Sequence, residues 1–131
     1  MPKKEIVFTF PGDDKLPYST VVKIGDHYHF SGVVPEVSDG RLASPGDVES
    51  QINEVFKKIK HNLSLCGLRR EDVYSATVML SGSMQHFPLV NKIYSDFFNV
   101  SIKPRRKAFA VAALPFGAEI EIEIDAIKQS K

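Results

Sequence analysis

Lys103-Pro104-Arg105-Arg106-Lys107, then Ala108-Phe109-Ala110-Val111-Ala112-Ala113, Leu114-Pro115-Phe116-Gly117 and Ala118-Glu119-Ile120-Glu121-Ile122-Glu123-Ile124-Asp125, is the stretch whose reading decides the fold. Its second half alternates strictly. Ala118, Ile120, Ile122, Ile124 and Ala126 fall on one face of a strand; Glu119, Glu121, Glu123 and Asp125 fall on the other. Pro115 and Gly117 supply turn chemistry between two β-prone runs. Paired as an antiparallel hairpin with Ala113 opposite Ala118, every other pair follows by parity, because opposed residues share a face. Val111 then meets Ile120 and Phe109 meets Ile122 on the core face, while Arg106, Ala108, Ala110 and Ala112 join the acids.

An alternating strand with acids outward is most often simply solvated. Here the predicted acid face carries small alanines and one arginine instead of Lys, Thr or Gln, so it leaves space beside both signs of charge. On the residues alone, Arg106 divides evenly between an ion pair with Asp125, its predicted cross-strand neighbour, and a fork that binds a ligand carboxylate. Glu121 reads first as one of four solvating acids, and second as a carboxyl that orients water or carries a proton. In the hairpin register the two lie four residues apart, roughly 13 Å. They meet at one small ligand only through a bulge or across a boundary between two chains.

Outward from this stretch, Glu5 to Phe10 is a short β-prone run ended by the turn cluster Pro11-Gly12-Asp13-Asp14. Thr20 to Ile24 and His27 to Ser31 flank Gly25-Asp26, a two-residue hairpin turn. Val33 to Ser44 reads as a loop. Pro45 to Cys66 carries Val48, Ile52, Val55, Phe56, Ile59 and Leu63 at helical spacing, with Ser44 as expected N-cap, Pro45 at the first position and Gly67 as the stop. Val73 to Leu80 is apolar enough for a buried strand, and Gln85 to Phe98 is a second helix with Phe87, Val90, Tyr94 and Phe97 on one side. The order β-β-β-α-β-α-β-β predicts one α+β domain over residues 1–131, a mixed sheet with two helices on one face. The alanine-and-acid face then has no helix to cover it and is expected to bury itself against other copies.

The totals exclude several classes. The 131 residues carry 17 basic and 16 acidic side chains, and a generic nucleic-acid binder carries more excess. In Lys103-Pro104-Arg105-Arg106-Lys107, strand parity also sends Arg105 and Lys107 to the face opposite Arg106. The single cysteine, Cys66, excludes an internal disulfide and fits a reducing cytoplasm. No apolar run approaches the ~18 residues of a membrane span, and Met1 to Phe10 has no signal-peptide core. His27 and His29 share a strand face without a third close ligand, so they read as a solvent-facing pair and not a metal site. No phosphate-binding loop, dinucleotide fingerprint or nucleophile elbow is present in the sequence.

Pro104-x-Arg106, Phe109, Val111, Leu114-Pro115-x-Gly117-Ala118 and Ile120-Glu121-Ile122-Glu123 resemble the signature of the reactive intermediate deaminase (RidA/YjgF) family, also described as endoribonuclease L-PSP. Pro17-Tyr18-Ser19, Phe30-Ser31-Gly32-Val33-Val34-Pro35 and Val90-Asn91-Lys92-Ile93-Tyr94 with Phe97-Phe98 follow in family order, so the resemblance spans most of the chain. Leu16 stands where the family has glycine, Val33 where it has glutamine, and Ala108 where it often has cysteine; thiol chemistry at the site is therefore not expected. The resemblance implies a chorismate-mutase-like fold and a homotrimer with sites between protomers. It also implies hydrolysis of reactive 2-imino or enamine acids such as 2-aminoacrylate to 2-keto acids and ammonia. Arg106 falls on the family's carboxylate-binding arginine and Glu121 on its functional glutamate, as the catalytic pair. Tyr18, Ser31, Gly32 and Asn91 complete the expected substrate-binding set. An imine is already electrophilic, so positioning and water activation are expected to suffice without metal or cofactor. The alternatives are an endoribonuclease or translation inhibitor, and a carboxylate-binding trimer without turnover.

Overall fold

A computed structural model describes residues 3–8, 16–36 and 40–129, of which 5–8 as backbone alone. The turn cluster Pro11-Gly12-Asp13-Asp14 lies outside the described residues. Strands β1 (Lys4–Phe8), β2 (Val21–Ile24) and β3 (His27–Phe30) precede helix α1 (Val48–Leu65); β4 (Val73–Ser81), helix α2 (Phe87–Phe97), β5 (Arg105–Val111) and β6 (Ile120–Ile127) follow. The order of elements is the expected one, and the fold is α+β, a mixed sheet with two helices. Gly25, at φ +61°, closes the β2–β3 hairpin in the predicted register, with Ile24 opposite His27.

Sequence and structure part at the decisive stretch. β5 and β6 form no hairpin. The sheet runs β1-β2-β3-β6-β4-β5, so β4 lies between them, antiparallel to β6 and parallel to β5. Two physical causes act together. Val73 to Leu80 is buried along alternate positions and needs ladder partners on both edges, whereas β5 is charged at its start and exposed, as edge strands are. The connection from β5 to β6 contains a 3₁₀ turn, Pro115–Gly117, with Phe116 in a left-handed conformation. It is a spanning loop, long enough to step over one strand.

Inserting β4 inverts the predicted parity. Val78 pairs with Ile122 on one side and with Ala108 on the other. Arg106, Ala108 and Ala110 therefore share the helix-covered face with Ala76, Val78 and Leu80, while Arg105, Lys107, Phe109 and Val111 join Glu121, Glu123 and Asp125 on the open face. The Ala113–Ala118 pairing, the core placement of Phe109, and the pairing of Arg106 with Asp125 all fall with it. The uncovered face is still uncovered, but it bears Phe109, Met79, Thr77 and the acids instead of alanines. Asp125 pairs across to His29 at 3.0 Å, and the His27 and His29 rings stack on that same face.

The core forms as the helical spacing demands. Ile52, Val55, Phe56, Ile59 and Leu63 of α1 and Val90, Tyr94 and Phe97 of α2 pack on Ile120, Ile122, Ile124, Val78 and Leu80. At about 1.5–3 kcal/mol for each fully buried large apolar side chain, this stripe is what holds α1 to the sheet. Gly67, at φ +69°, ends α1 as predicted. The start differs. Gly46 adopts φ +81°, which no helix continues, so the N-cap is Asp47, whose carboxylate accepts from Ser50 N at 3.0 Å.

Candidate functional site

Gln51 sets the entry of β6. It is fully buried on α1, its Nε2 donates to Ser44 O at 3.2 Å, and its Oε1 accepts from Glu119 N at 3.0 Å. Two residues on, Glu121 stands on the open face. Opposite it, the chain leaving β3 is pinned on both sides of Gly32. Ser31 N donates to Thr20 O at 2.9 Å and Ser31 Oγ to Ser19 O at 2.7 Å. Val33 exchanges two bonds with Ile122, at 2.8 and 3.0 Å. Gly32 thus lies hard against the Glu121 carboxylate, where a Cβ would collide with it.

These elements enclose a cleft of about 300 Å³ whose lining includes Tyr18, Ser31, Gly32, Pro115, Phe116 and Glu121. Tyr18 is 55% exposed, so its ring is a rim and not a wall. Burial pushes the Glu121 carboxyl above the usual carboxylate range, and the neighbouring Glu123 charge adds to the rise. A carboxyl so shifted exchanges protons more readily near neutral pH. The Ser31 hydroxyl is engaged in holding the Tyr18-Ser19-Thr20 segment.

Arg106 and Asn91 form a second cluster. Arg106 Nη1 donates to Asn91 Oδ1 at 2.8 Å, and its guanidinium lies over the rings of Phe87 and Tyr94, with its carbon 5.1 and 4.8 Å from their centroids. The arginine itself is exposed at the free edge of β5, so a planar fork is oriented with N–H groups left over for a carboxylate. Within one chain the two clusters do not meet: Arg106 is on the helix face of an edge strand, Glu121 on the open face two strands inward.

Reading the sequence missed Lys58, Asn62, Glu36 and Thr20 in the cleft wall. A signal existed: Gln51, Lys58 and Asn62 fall on one helical row beside Val55, polar where the stripe of α1 turns inward. Of the departures from the family pattern, Val33 is buried and bonded to Ile122, Leu16 is exposed, and Ala108 packs against the core. Cys66 caps α1 outside this site, and burial pushes its thiol up, away from reactivity. Among the described residues no group of three metal-ligating side chains gathers.

The sequence profile of the family described as Endoribonuclease L-PSP matches residues 13–128. A mouse protein named 2-iminobutanoate/2-iminopropanoate deaminase is 36% identical over 113 residues, 86% of this chain and 82% of its own. This chain belongs to the RidA/YjgF family. A RutC family protein of Pyrococcus horikoshii is 34% identical over 96% of this RidA-type chain and 99% of its own. Among solved structures, a Rid-family protein of unknown function from Yersinia pestis superposes with a TM-score of 0.86 at 30% identity, covering 96% of this chain and all of that one. The relatives' names support an enzymatic role for the RidA/YjgF fold.

Proposed function

We propose that this protein is a deaminase that hydrolyses reactive 2-imino or enamine acids to 2-keto acids and ammonia. One observation carries the reading. Each chain holds two complementary half-sites, an oriented arginine fork at the β5 edge and a glutamate cleft on the opposite face; among the described residues the fork has no carboxyl beside it and the cleft has no planar guanidinium. Juxtaposing one protomer's β5 edge with another's cleft completes a site for a small carboxylate with an electrophilic carbon. The family resemblance favours a trimer for that assembly.

The chemistry then follows from the side chains. Arg106, held by Asn91, binds the substrate carboxylate at two points. Glu121 takes a proton from water as the water oxygen adds to C2 of the iminium form, giving a carbinolamine. The same carboxyl returns the proton to nitrogen; as the C–N bond breaks, the carbinolamine hydroxyl gives its proton back to the Glu121 carboxylate, the C=O forms, and ammonia leaves with the 2-keto acid. An enamine enters after protonation at C3. Phe116 and Tyr18 border the cleft and limit stray water. Among the described residues no helix is long and apolar enough to cross a membrane, and we place the activity in the cytoplasm.

The test is ammonia release from freshly generated 2-aminoacrylate, with and without the protein. Acceleration that is lost in both Arg106→Ala and Glu121→Gln is expected. Carboxylate binding without acceleration would replace the deaminase by the non-catalytic carboxylate-binding trimer.

A further inference from the structure

The geometry points to a second anion anchor in the α1 wall of the cleft, formed by Lys58 and Asn62, which selects substrates carrying a side-chain carboxylate. This rests on the reading above that the imine carbon sits at Glu121. Lys58 and Asn62 stand one turn apart on α1, both in the cleft wall. Lys58 Nζ donates to Val34 O at 3.1 Å, a neutral acceptor that uses one of its three N–H groups. Among the described residues no carboxylate comes within 4.0 Å of this half-buried ammonium. Asn62 is 4% exposed and lines the same cleft. Burial pulls the Lys58 pKa down, while the fields of Glu36 and Glu54 act the other way. A ligand carboxylate would repay that desolvation.

The span sets the length of the side chain. Gly32, against the Glu121 carboxylate, and Val34, bonded to Lys58, are two residues apart, at most about 7 Å. Adding the Lys58 bond puts the ammonium within about 10 Å of Gly32. Subtracting a contact of about 3 Å at each end leaves at most about 4 Å. That is the reach of two or three carbon–carbon bonds. The cleft of about 300 Å³ holds roughly ten waters, more room than a three-carbon imino acid fills. The class selected is the four- or five-carbon 2-imino dicarboxylate.

The experiment compares ammonia release from 2-iminoglutarate and 2-iminobutanoate, generated in situ, and calorimetric binding of their stable products 2-oxoglutarate and 2-oxobutanoate. The intact protein should favour the diacid at least about tenfold, and Lys58→Met should cut that ratio by roughly ten- to a hundredfold. Lys58→Arg should keep the preference. Lys58→Gln, which retains a donor for Val34 O without the charge, stands in if Lys58→Met fails to fold. Equal handling of both acids by the intact protein, or a preference that survives loss of the charge, overturns the anchor. So does equal weakening of both acids, which would assign Lys58 to the main carboxylate in place of Arg106. If ammonia release fails for both substrates while 2-oxoglutarate binding still depends on Lys58, the deaminase reading falls and the anchor stands.

Discussion

Gly32→Ala separates space from backbone freedom. Gly32 does not occupy the left-handed region, so alanine suits its backbone and should gain about 0.4–1 kcal/mol by restricting the unfolded chain. The obstacle is the added methyl, which would collide with the Glu121 carboxylate. Two escapes exist. Shifting the backbone strains the Val33–Ile122 pair, two bonds worth about 1 kcal/mol each. Turning Glu121 off its rotamer costs about 0.5–1.5 kcal/mol, so the glutamate should be what moves. The stability terms nearly cancel, and Tm should stay within about 4 °C of the parent. Catalysis should not be spared: displacing the proton-transfer group predicts a loss of roughly a hundred- to ten-thousandfold in ammonia release. Glu121→Gln should lose as much, and the double variant should be no worse than Glu121→Gln alone, because both changes remove one group from one place. Parent-like turnover in Gly32→Ala would refute the reasoning, as would a double variant whose loss is the product of the two single losses.

Arg106→Lys should lower turnover ten- to a hundredfold, because a single ammonium replaces the planar fork bound by Asn91, whereas Arg105→Lys, on the opposite face, should change it little; steady-state rates on one imino acid decide. The acid limb of the rate–pH profile should lie above the ordinary carboxylate range and move down in Glu123→Gln, since the Glu123 charge is one cause of the upward shift at Glu121. A raised folded-state pKa means that the protonated form favours folding, an advantage present at low pH and lost as pH rises through that pKa. Glu121→Gln should therefore raise Tm at neutral pH, with the gain vanishing below the ordinary carboxylate pKa of roughly 4.3, as thermal melts across pH will report. Sedimentation at micromolar concentration should return three times the 14.6 kDa chain mass; a monomer would remove the shared site from consideration.

The sequence disclosed its elements more readily than their neighbours. Val48 to Leu63 announces α1 because one buried stripe repeats at helical spacing, and Ile120, Ile122 and Ile124 announce β6 because alternation admits no other face. Pairing is a different kind of information. Nothing local to Ala113 or Ala118 says that Val73 to Ser81, thirty-odd residues earlier, will lie between them, and a single inserted strand reverses which β5 side chains face the helices. The family motifs singled out Arg106 and Glu121 without placing them on opposite faces. Lys58 and Asn62 escaped because a polar residue on a helix reads as solvated until the wall beside it is known.

β6 is last among the strands in sequence and stands in the middle of the sheet, with β3 on one side and β4 on the other. Its pairing of His27 with Ile127 closes a loop of about a hundred residues. Before β6 emerges during synthesis, β1-β2-β3 and β4-β5 are two separate ribbons, each with an open edge at β3 or β4 able to take a strand from another chain. Folding must therefore wait for one late, long-range event, which favours a slow rate and exposes the nascent protein to mispairing. Because Glu121 rides on that same strand, no partly made chain carries a working cleft.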